Sequence, residues 1–193
     1  KNVSFADAST VALGAIALQG IRRVEPSLGE FIAVVGLGIL GQITVQMLKA
    51  NGCTVAGIDP NNERLEISIS SGLDFAVKDD VVANLQKLTN GQGVDAVIIT
   101  AATTSEHVLK QAFQMCRKKA RVILVGSVPL KIDRSDIYVK ELDFKISTSY
   151  GPGRYDEEFE EKGLKYPIGY VRWTETRNMD AYLTFIGKNK INL

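Results

Sequence analysis

Apolar residues in this chain fall into short unbroken runs, and amphipathic stretches separate the runs. Phe31-Ile32-Ala33-Val34-Val35 is five apolar residues in succession, mostly β-branched. That pattern predicts a strand covered on both faces, as in a parallel sheet. Before it, residues 11–23 predict a helix, with Leu13, Ile16, Ala17 and Ile21 on one stripe and Ser9 or Thr10 as cap. After it, residues 39–51 predict a second helix, stopped by Gly52. The alternation continues with a strand at 54–58, a weaker helix at 60–71 and a short strand at 75–77. A helix at 81–89, a strand at 95–100 and a helix at 106–116 follow, the last opened by the capping box Thr103-x-x-Glu106. A strand at 121–125, a sixth strand starting at 144–147 and a closing helix at 179–187 complete the pattern.

Strands that alternate with helices imply βαβ units with right-handed crossovers. The expected fold is α/β, a doubly wound parallel sheet of about six strands with helices on both faces. No internal repeat or low-complexity segment interrupts it. The texture changes at Tyr150: residues 150–173 hold four of the six tyrosines and the only tryptophan, among Gly, Pro and an acidic run. These aromatics suit either a contact surface or a small satellite core. The acidic run 156–161 reads as a solvated helix face. One domain is expected over 1–193: a lead-in at 1–30, a core sheet at 31–149, and an aromatic-rich extension with the closing helix at 150–193.

The sharpest motif is Gly36-Leu37-Gly38-Ile39-Leu40-Gly41, which fits G-x-G-x-x-G. It follows strand 31–35 directly and opens helix 39–51, the context that a dinucleotide-binding turn of Rossmann type requires. Gly36 would make the tight turn, Gly38 would let a pyrophosphate reach the backbone, and Gly41 would let helix and strand pack closely. Ile39, Leu40 and Gly41 would offer first-turn amides and a partial positive charge to the phosphates. Asp59 lies 18 residues beyond Gly41, at the carboxyl end of the second strand. A carboxylate there would accept from the adenosine ribose hydroxyls and repel the extra phosphate of NADP, so NAD is the expected cofactor. Asp59-Pro60 is also a good helix start, and Arg64 would favour a phosphate. Ligands of such sheets lie across the carboxyl ends of the strands. Thr100, Ala101 and Ala102, Gly126, Ser127 and Val128, and Ser149 and Tyr150 each follow a strand and are candidate cofactor contacts.

Composition narrows the function. Lys plus Arg number 23 against 22 Asp plus Glu, a balance that argues against nucleic acid as the main partner. Cys53 and Cys116 are too few for a disulfide framework and read as buried hydrophobes in a reducing, cytoplasmic compartment. With His107 as the only histidine, no zinc site of ordinary composition is expected within this chain. The apolar stretch 11–21 is too short to span a bilayer and contains Gln19, so no membrane contact is expected. No Tyr-x-x-x-Lys pair or nucleophile elbow is present, so the chain reads as a cofactor holder without an acid–base partner. It begins with Lys rather than Met and ends at Ile191-Asn192-Leu193, so the expectation is a piece of a longer protein.

These residues resemble the nucleotide-binding half of the medium-chain dehydrogenase/reductases, the relatives of zinc-type alcohol dehydrogenase. The matching marks are Gly14-Ala15, Leu28-Gly29-Glu30, the run from Val35 to Gly41, Val45-Gln46-Met47-Leu48-Lys49, and Gly57-Ile58-Asp59 with Arg64 beyond it. The likeness continues through Val94-Asp95-Ala96-Val97-Ile98-Ile99 and the run from Ala120 to Gly126. Gly14 falls where many members have Thr. The segments 149–156 and 166–175 resemble members fused to a sugar-oxidoreductase-like half in surface-polysaccharide pathways. The resemblance implies NAD(H)-dependent hydride transfer to or from a hydroxyl or carbonyl carbon of a small-molecule substrate. It also implies a GroES-like catalytic domain, absent here, that carries any zinc, and a homodimer through the last strand. A non-catalytic NAD-sensing module is the alternative. A methyltransferase fits the glycine spacing less well.

Overall fold

The computed structural model describes residues 3–192. Six strands form one sheet: β1 (Phe31–Val35), β2 (Thr54–Ile58), β3 (Phe75–Val77), β4 (Val94–Ile99), β5 (Cys116–Leu124) and β6 (Asp143–Ile146). All pairings are parallel, in the order β3-β2-β1-β4-β5-β6. The winding therefore reverses between β1 and β4, the switch point of a doubly wound fold.

The helices among the described residues are α1 (Phe5–Ala8), α2 (Val11–Val24), α3 (Ile39–Ala50), α4 (Asn62–Ser70), α5 (Val81–Leu88), α6 (His107–Met115), α7 (Arg134–Tyr138), α8 (Glu157–Glu160) and α9 (Glu175–Gly187). Two cores sandwich the sheet. Ile32 and Val34 of β1 enter the core with α2, α3 and α9, whereas Ala33 and Val35 enter the core with α5 and α6. Successive side chains of a strand point to opposite faces, so a strand clothed on both sides reads as one apolar run.

The first core also closes the lead-in against the end of the chain. Tyr182 of α9 is fully buried, and a Cβ on Gly14 of α2 would lie 2.3 Å from its ring. The Tyr182 hydroxyl pairs with Thr10 Oγ1 at 2.8 Å. Thr10 sits at the N-cap position of α2 without capping it, because its hydroxyl is spent on Tyr182 and on the Asp7 carbonyl.

Several local expectations change. α4 begins at Asn62 rather than at residue 60, because the Asn61 side chain supplies the cap by accepting from Arg64 N–H. The Thr103–Glu106 capping box does not form. Glu106 is itself the N-cap of α6, and Thr103 Oγ1 accepts from Ser105 N–H. The segment 116–120, read as the end of a helix and a link, belongs to β5. α1, α7 and α8 are too short to leave a clear period.

The extension buries part of its aromatics in a small satellite core and leaves others exposed. Phe159 of α8 is buried, and its ring lies 5.0 Å from that of Tyr166. Tyr155 and Tyr170 remain 71% and 91% exposed, available for contact. The acidic run becomes the short helix α8, capped by Asp156, whose side chain accepts from Glu158 N–H at 3.0 Å. Asn178 of α9 anchors the segment: it is fully buried, donates to the Tyr150 carbonyl at 2.8 Å, and accepts from Arg22 Nε at 2.7 Å.

Candidate functional site

A cavity of about 820 Å³ opens along the carboxyl ends of β1, β2, β3 and β4. The turn after β1 forms its centre, and the three glycines there do different things. Gly36 adopts φ +92°, and a Cβ on it would lie 2.6 Å from the Ala101 backbone. A Cβ on Gly41 would lie 2.0 Å from the Gly36 carbonyl oxygen, so α3 sits directly on the turn. A Cβ on Gly38 would meet nothing within 4 Å. Gly38 is the N-cap of α3 and has no side chain to cap it, so among the described residues no side-chain cap satisfies the amides of the helix's first turn. Ile39 and Leu40 of that turn line the cavity.

Asp59, at the end of β2, is buried and binds the turn from the other side. Its Oδ2 accepts from Leu37 N–H at 2.7 Å, and its Oδ1 accepts from Asn61 N–H at 2.8 Å. It therefore holds the glycine turn and shapes the approach to α4 without being that helix's cap. The guanidinium of Arg64 stands 3.5 Å from the same carboxylate, with half its side chain exposed. Thr100 closes the switch point: its Oγ1 donates to the Gly36 carbonyl at 2.5 Å.

The fold thus brings Gly36, Gly38, Ile39, Leu40, Asp59, Arg64, Thr100, Ala101 and Ala102 to one cavity wall, with Gly41 packed behind them. Gly126, Ser127 and Val128 do not line the cavity. Gly126 lets β5 approach the 100–102 loop, since a Cβ there would lie 2.1 Å from the Ala101 carbonyl oxygen. Ser127 pairs with that loop, donating to Ala101 O at 3.0 Å and accepting from Thr103 N–H at 2.9 Å. Val128 is buried in the α5/α6 core. Ser149 and Tyr150 also lie outside the cavity, and the Tyr150 carbonyl is turned to Asn178.

The cavity has further walls that no motif in the sequence marks. Lys78, Asp79 and Asp80 follow β3, Thr103 and Ser105 come from the loop before α6, and Gln111 comes from the middle of α6. The carboxyl-end rule applied to β3 reaches the first three. Nothing in the sequence marks Gln111. Lys78 Nζ donates to Asn62 Oδ1 at 2.9 Å, so its charge stays near the cavity mouth.

Among the described residues, no group of three or more His, Cys, Asp or Glu side chains is placed to hold a metal ion. Burial pushes the Cys116 thiol up to about 12 and raises that of Cys53, the opposite of what a thiolate ligand needs. His107 is exposed in the first turn of α6. The described residues do not fit a zinc ion. They do fit a dinucleotide's phosphates at the uncapped, unobstructed start of α3. No helix among them is long and apolar enough to cross a membrane.

The sheet order, the switch point and the glycine turn define an α/β domain of Rossmann type. A family model described as zinc-binding dehydrogenase matches residues 40–163. The chain belongs to that family, the zinc-type alcohol dehydrogenases among the medium-chain dehydrogenase/reductases. It is 27% identical to an alcohol dehydrogenase of Rhizobium meliloti (strain 1021) over 190 residues, covering 96% of this chain and 55% of the relative. It is 32% identical to an alcohol dehydrogenase of Geobacillus stearothermophilus over 134 residues, covering 68% of this chain and 39% of the relative. It therefore spans about half or less of the length of these curated relatives. An Escherichia coli CFT073 enzyme described as a short chain alcohol dehydrogenase, solved with NADH, superposes with a TM-score of 0.75 at 21% identity. That match covers all of this chain and 50% of the other.

Proposed function

We propose that this chain is the cofactor-binding portion of an NAD(H)-dependent oxidoreductase of the alcohol dehydrogenase type, orienting nicotinamide for hydride transfer. The observation that carries the reading is the contrast within one turn. Gly36 and Gly41 are closed in by backbone, while Gly38 opens on the cavity at the uncapped start of α3. That arrangement suits a pyrophosphate bound to main-chain amides. The NADH-bound structural neighbour supports the choice of a nicotinamide cofactor. When bound, the dinucleotide would give or accept a hydride at a carbon bearing a hydroxyl or carbonyl.

This chain's own part is binding and orientation. The first-turn amides of α3 take the phosphates, and Asp59 takes the adenosine ribose and disfavours a 2′-phosphate. Thr100, Ala101 and Ala102 form the wall at the switch point, with Gly126 and Ser127 bracing it from behind. Arg64 and Lys78 supply positive charge at the rim. The acid–base group, any metal and the substrate contacts belong to a further domain of a longer protein. The buried thiols suit a reducing, cytoplasmic setting.

Calorimetric titration of the folded chain with NADH, NADPH and S-adenosylmethionine tests this. NADH is expected to bind most tightly and S-adenosylmethionine not at all. Absence of heat with both pyridine dinucleotides would overturn the reading. Asp59→Ala is expected to narrow the preference for NADH over NADPH, and an unchanged ratio would reduce the carboxylate to a brace for the turn. The chain alone, with metal chelated, is expected to bind cofactor without turning over alcohols. A measurable rate would show that it holds its own acid–base chemistry.

A further inference from the structure

A second concavity, of about 580 Å³, lies between α2, α3 and α9 and shares no lining residue with the carboxyl-edge cavity. Its walls are largely apolar, with Ile21 from α2, Met47 from α3, and Ala181 and Phe185 from α9. Trp173 and Arg22 join the lining, and exposed Arg172 stands just outside it, against the Trp173 ring. The guanidinium carbon of Arg22 lies 3.3 Å from the Trp173 ring centroid, and that of Arg172 lies 3.9 Å from it. One indole therefore carries two positive charges. Among the described residues neither arginine has a carboxylate within 4.0 Å. Glu25, the acid on the groove's rim, pairs with neither.

This pair is placed by the fold. Arg22 is fixed by its bond to buried Asn178, and Trp173 precedes the cap of α9. Burial and the neighbouring Arg172 charge lower Arg22 to about 10, so the two cations repel each other where they stand. An anion at the edge of the indole that reached both would relieve that repulsion. A planar carboxylate matches the guanidinium fork, whereas a more heavily hydrated dianion gains little from apolar walls. The volume is that of a small-molecule site.

We propose that this groove binds a small carboxylic acid with an apolar body, its hydrocarbon lying between α2, α3 and α9 and its carboxylate at the groove mouth beside Trp173, held by Arg22 of the lining and Arg172 of the rim. The site is independent of the cofactor cavity, and its occupation braces α9 against α2.

Trp173 is the only tryptophan, so its fluorescence reports directly on the groove. Octanoate is expected to change the emission saturably, and 1-octanol is expected to bind at least about tenfold more weakly, the scale of one charge-assisted bond. Arg172→Gln, at an exposed residue, is expected to weaken octanoate about tenfold and leave 1-octanol unaffected. Ala181→Phe, which fills the groove, is expected to abolish both. Calorimetric binding of NADH should be the same in the parent chain and both variants. Equal binding of acid and alcohol, an Arg172→Gln variant that binds octanoate like the parent, or no saturable change in the parent chain would each overturn the proposal.

Discussion

The turn after β1 and the segment after β6 are both irregular, both rich in glycine, and built on opposite principles. In the turn, main chain packs on main chain: the Gly41 position abuts the Gly36 carbonyl, and the Gly36 position abuts Ala101. Its polar side chains, Asp59 and Thr100, are used to hold it still, and its helix amides are left without a side-chain cap. In the segment, side chains pack on side chains. A Cβ on Gly153 would meet the Phe159 ring at 2.7 Å, Tyr166 donates to Asp156, and Arg154 pairs with Glu160. The first region satisfies itself sterically and leaves hydrogen-bonding capacity over. The second spends its polar groups internally and leaves aromatic surface over. Surplus amides suit a small anionic ligand, whereas surplus aromatic surface suits another protein surface or a sugar.

Substituting Gly41 is the most severe way to break this contrast. Gly41→Ala drives a methyl group into a backbone oxygen that cannot move without unwinding the turn. A loss of about 3 kcal/mol or more is expected, read as a lowered midpoint in urea or as failure to fold. A variant as stable as the parent would mean that the turn is soft. In the segment, Phe159→Ala removes the one ring that α8 buries, and about 3 kcal/mol of local stability is expected to go with it. Limited proteolysis should then cut near α8 while NADH binding persists. If cofactor binding is lost together with the segment, the two regions form one cooperative unit and the contrast fails.

A pH titration sharpens the contrast from the core side. Cys116 begins β5, and burial raises its thiol from 9.0 to about 12, against the smaller opposing effects of Lys140 and Arg117. Above pH 9 the unfolded chain ionises this thiol and the folded chain does not. Stability is therefore lost as pH rises through that window, by at most about 1.4 kcal/mol per pH unit. Lys140 acts in the opposite direction, since burial lowers its pKa in the folded state. The informative comparison is thus parent against Cys116→Ala. The variant is expected to lose less stability between pH 9 and 10 in urea titrations, and parallel curves would show that the thiol is not held neutral.

Legibility from sequence followed the same division. β1, β2 and β3 have the predicted bounds: β1 and β2 are buried on both faces and show as apolar runs, and β3, an edge strand with only Val77 buried, shows as a short apolar run between polar residues. The glycine turn was legible because glycine is called for at three fixed positions directly after an apolar strand, two for packing and one for the open helix start. The first half of β5 was hidden because Arg117, Lys118 and Lys119 interrupt the apolar pattern. They lie within the register shift between the Val94–Cys116 and Ala96–Arg121 pairs, where Lys118 and Lys119 turn to solvent while Val94 and Cys116 stay buried. The Thr103 cap failed because tertiary contacts redirected the loop. Thr103 N–H bonds to Ser127, on the far side of a bridge that no local pattern encodes. Gln111 reaches the cavity only because α6 is packed across the sheet, and residue type alone gives no hint of that. Ser149 and Tyr150 follow a strand as the rule requires. β6 is at the sheet's edge, and buried Asn178 draws the chain after it toward α9.

The smallest expected effect on stability is the most informative about the turn. Gly38 has φ −65° and ψ −172°, a conformation open to any residue, and a Cβ there meets nothing within 4 Å. Gly38→Ala should therefore change stability by less than about 0.5 kcal/mol, the range of an unencumbered surface substitution. The added methyl projects into the space where a pyrophosphate would approach the first-turn amides of α3. NADH binding is accordingly expected to weaken about tenfold or more while the thermal midpoint holds, because a blocked approach loses charge-assisted bonds to main-chain N–H groups. A variant that keeps both stability and affinity would place the phosphates elsewhere along the cavity. One that loses both would show that Gly38, like Gly36 and Gly41, serves the packing of the turn, and would erase the distinction between the glycine kept for the ligand and the two kept for the fold.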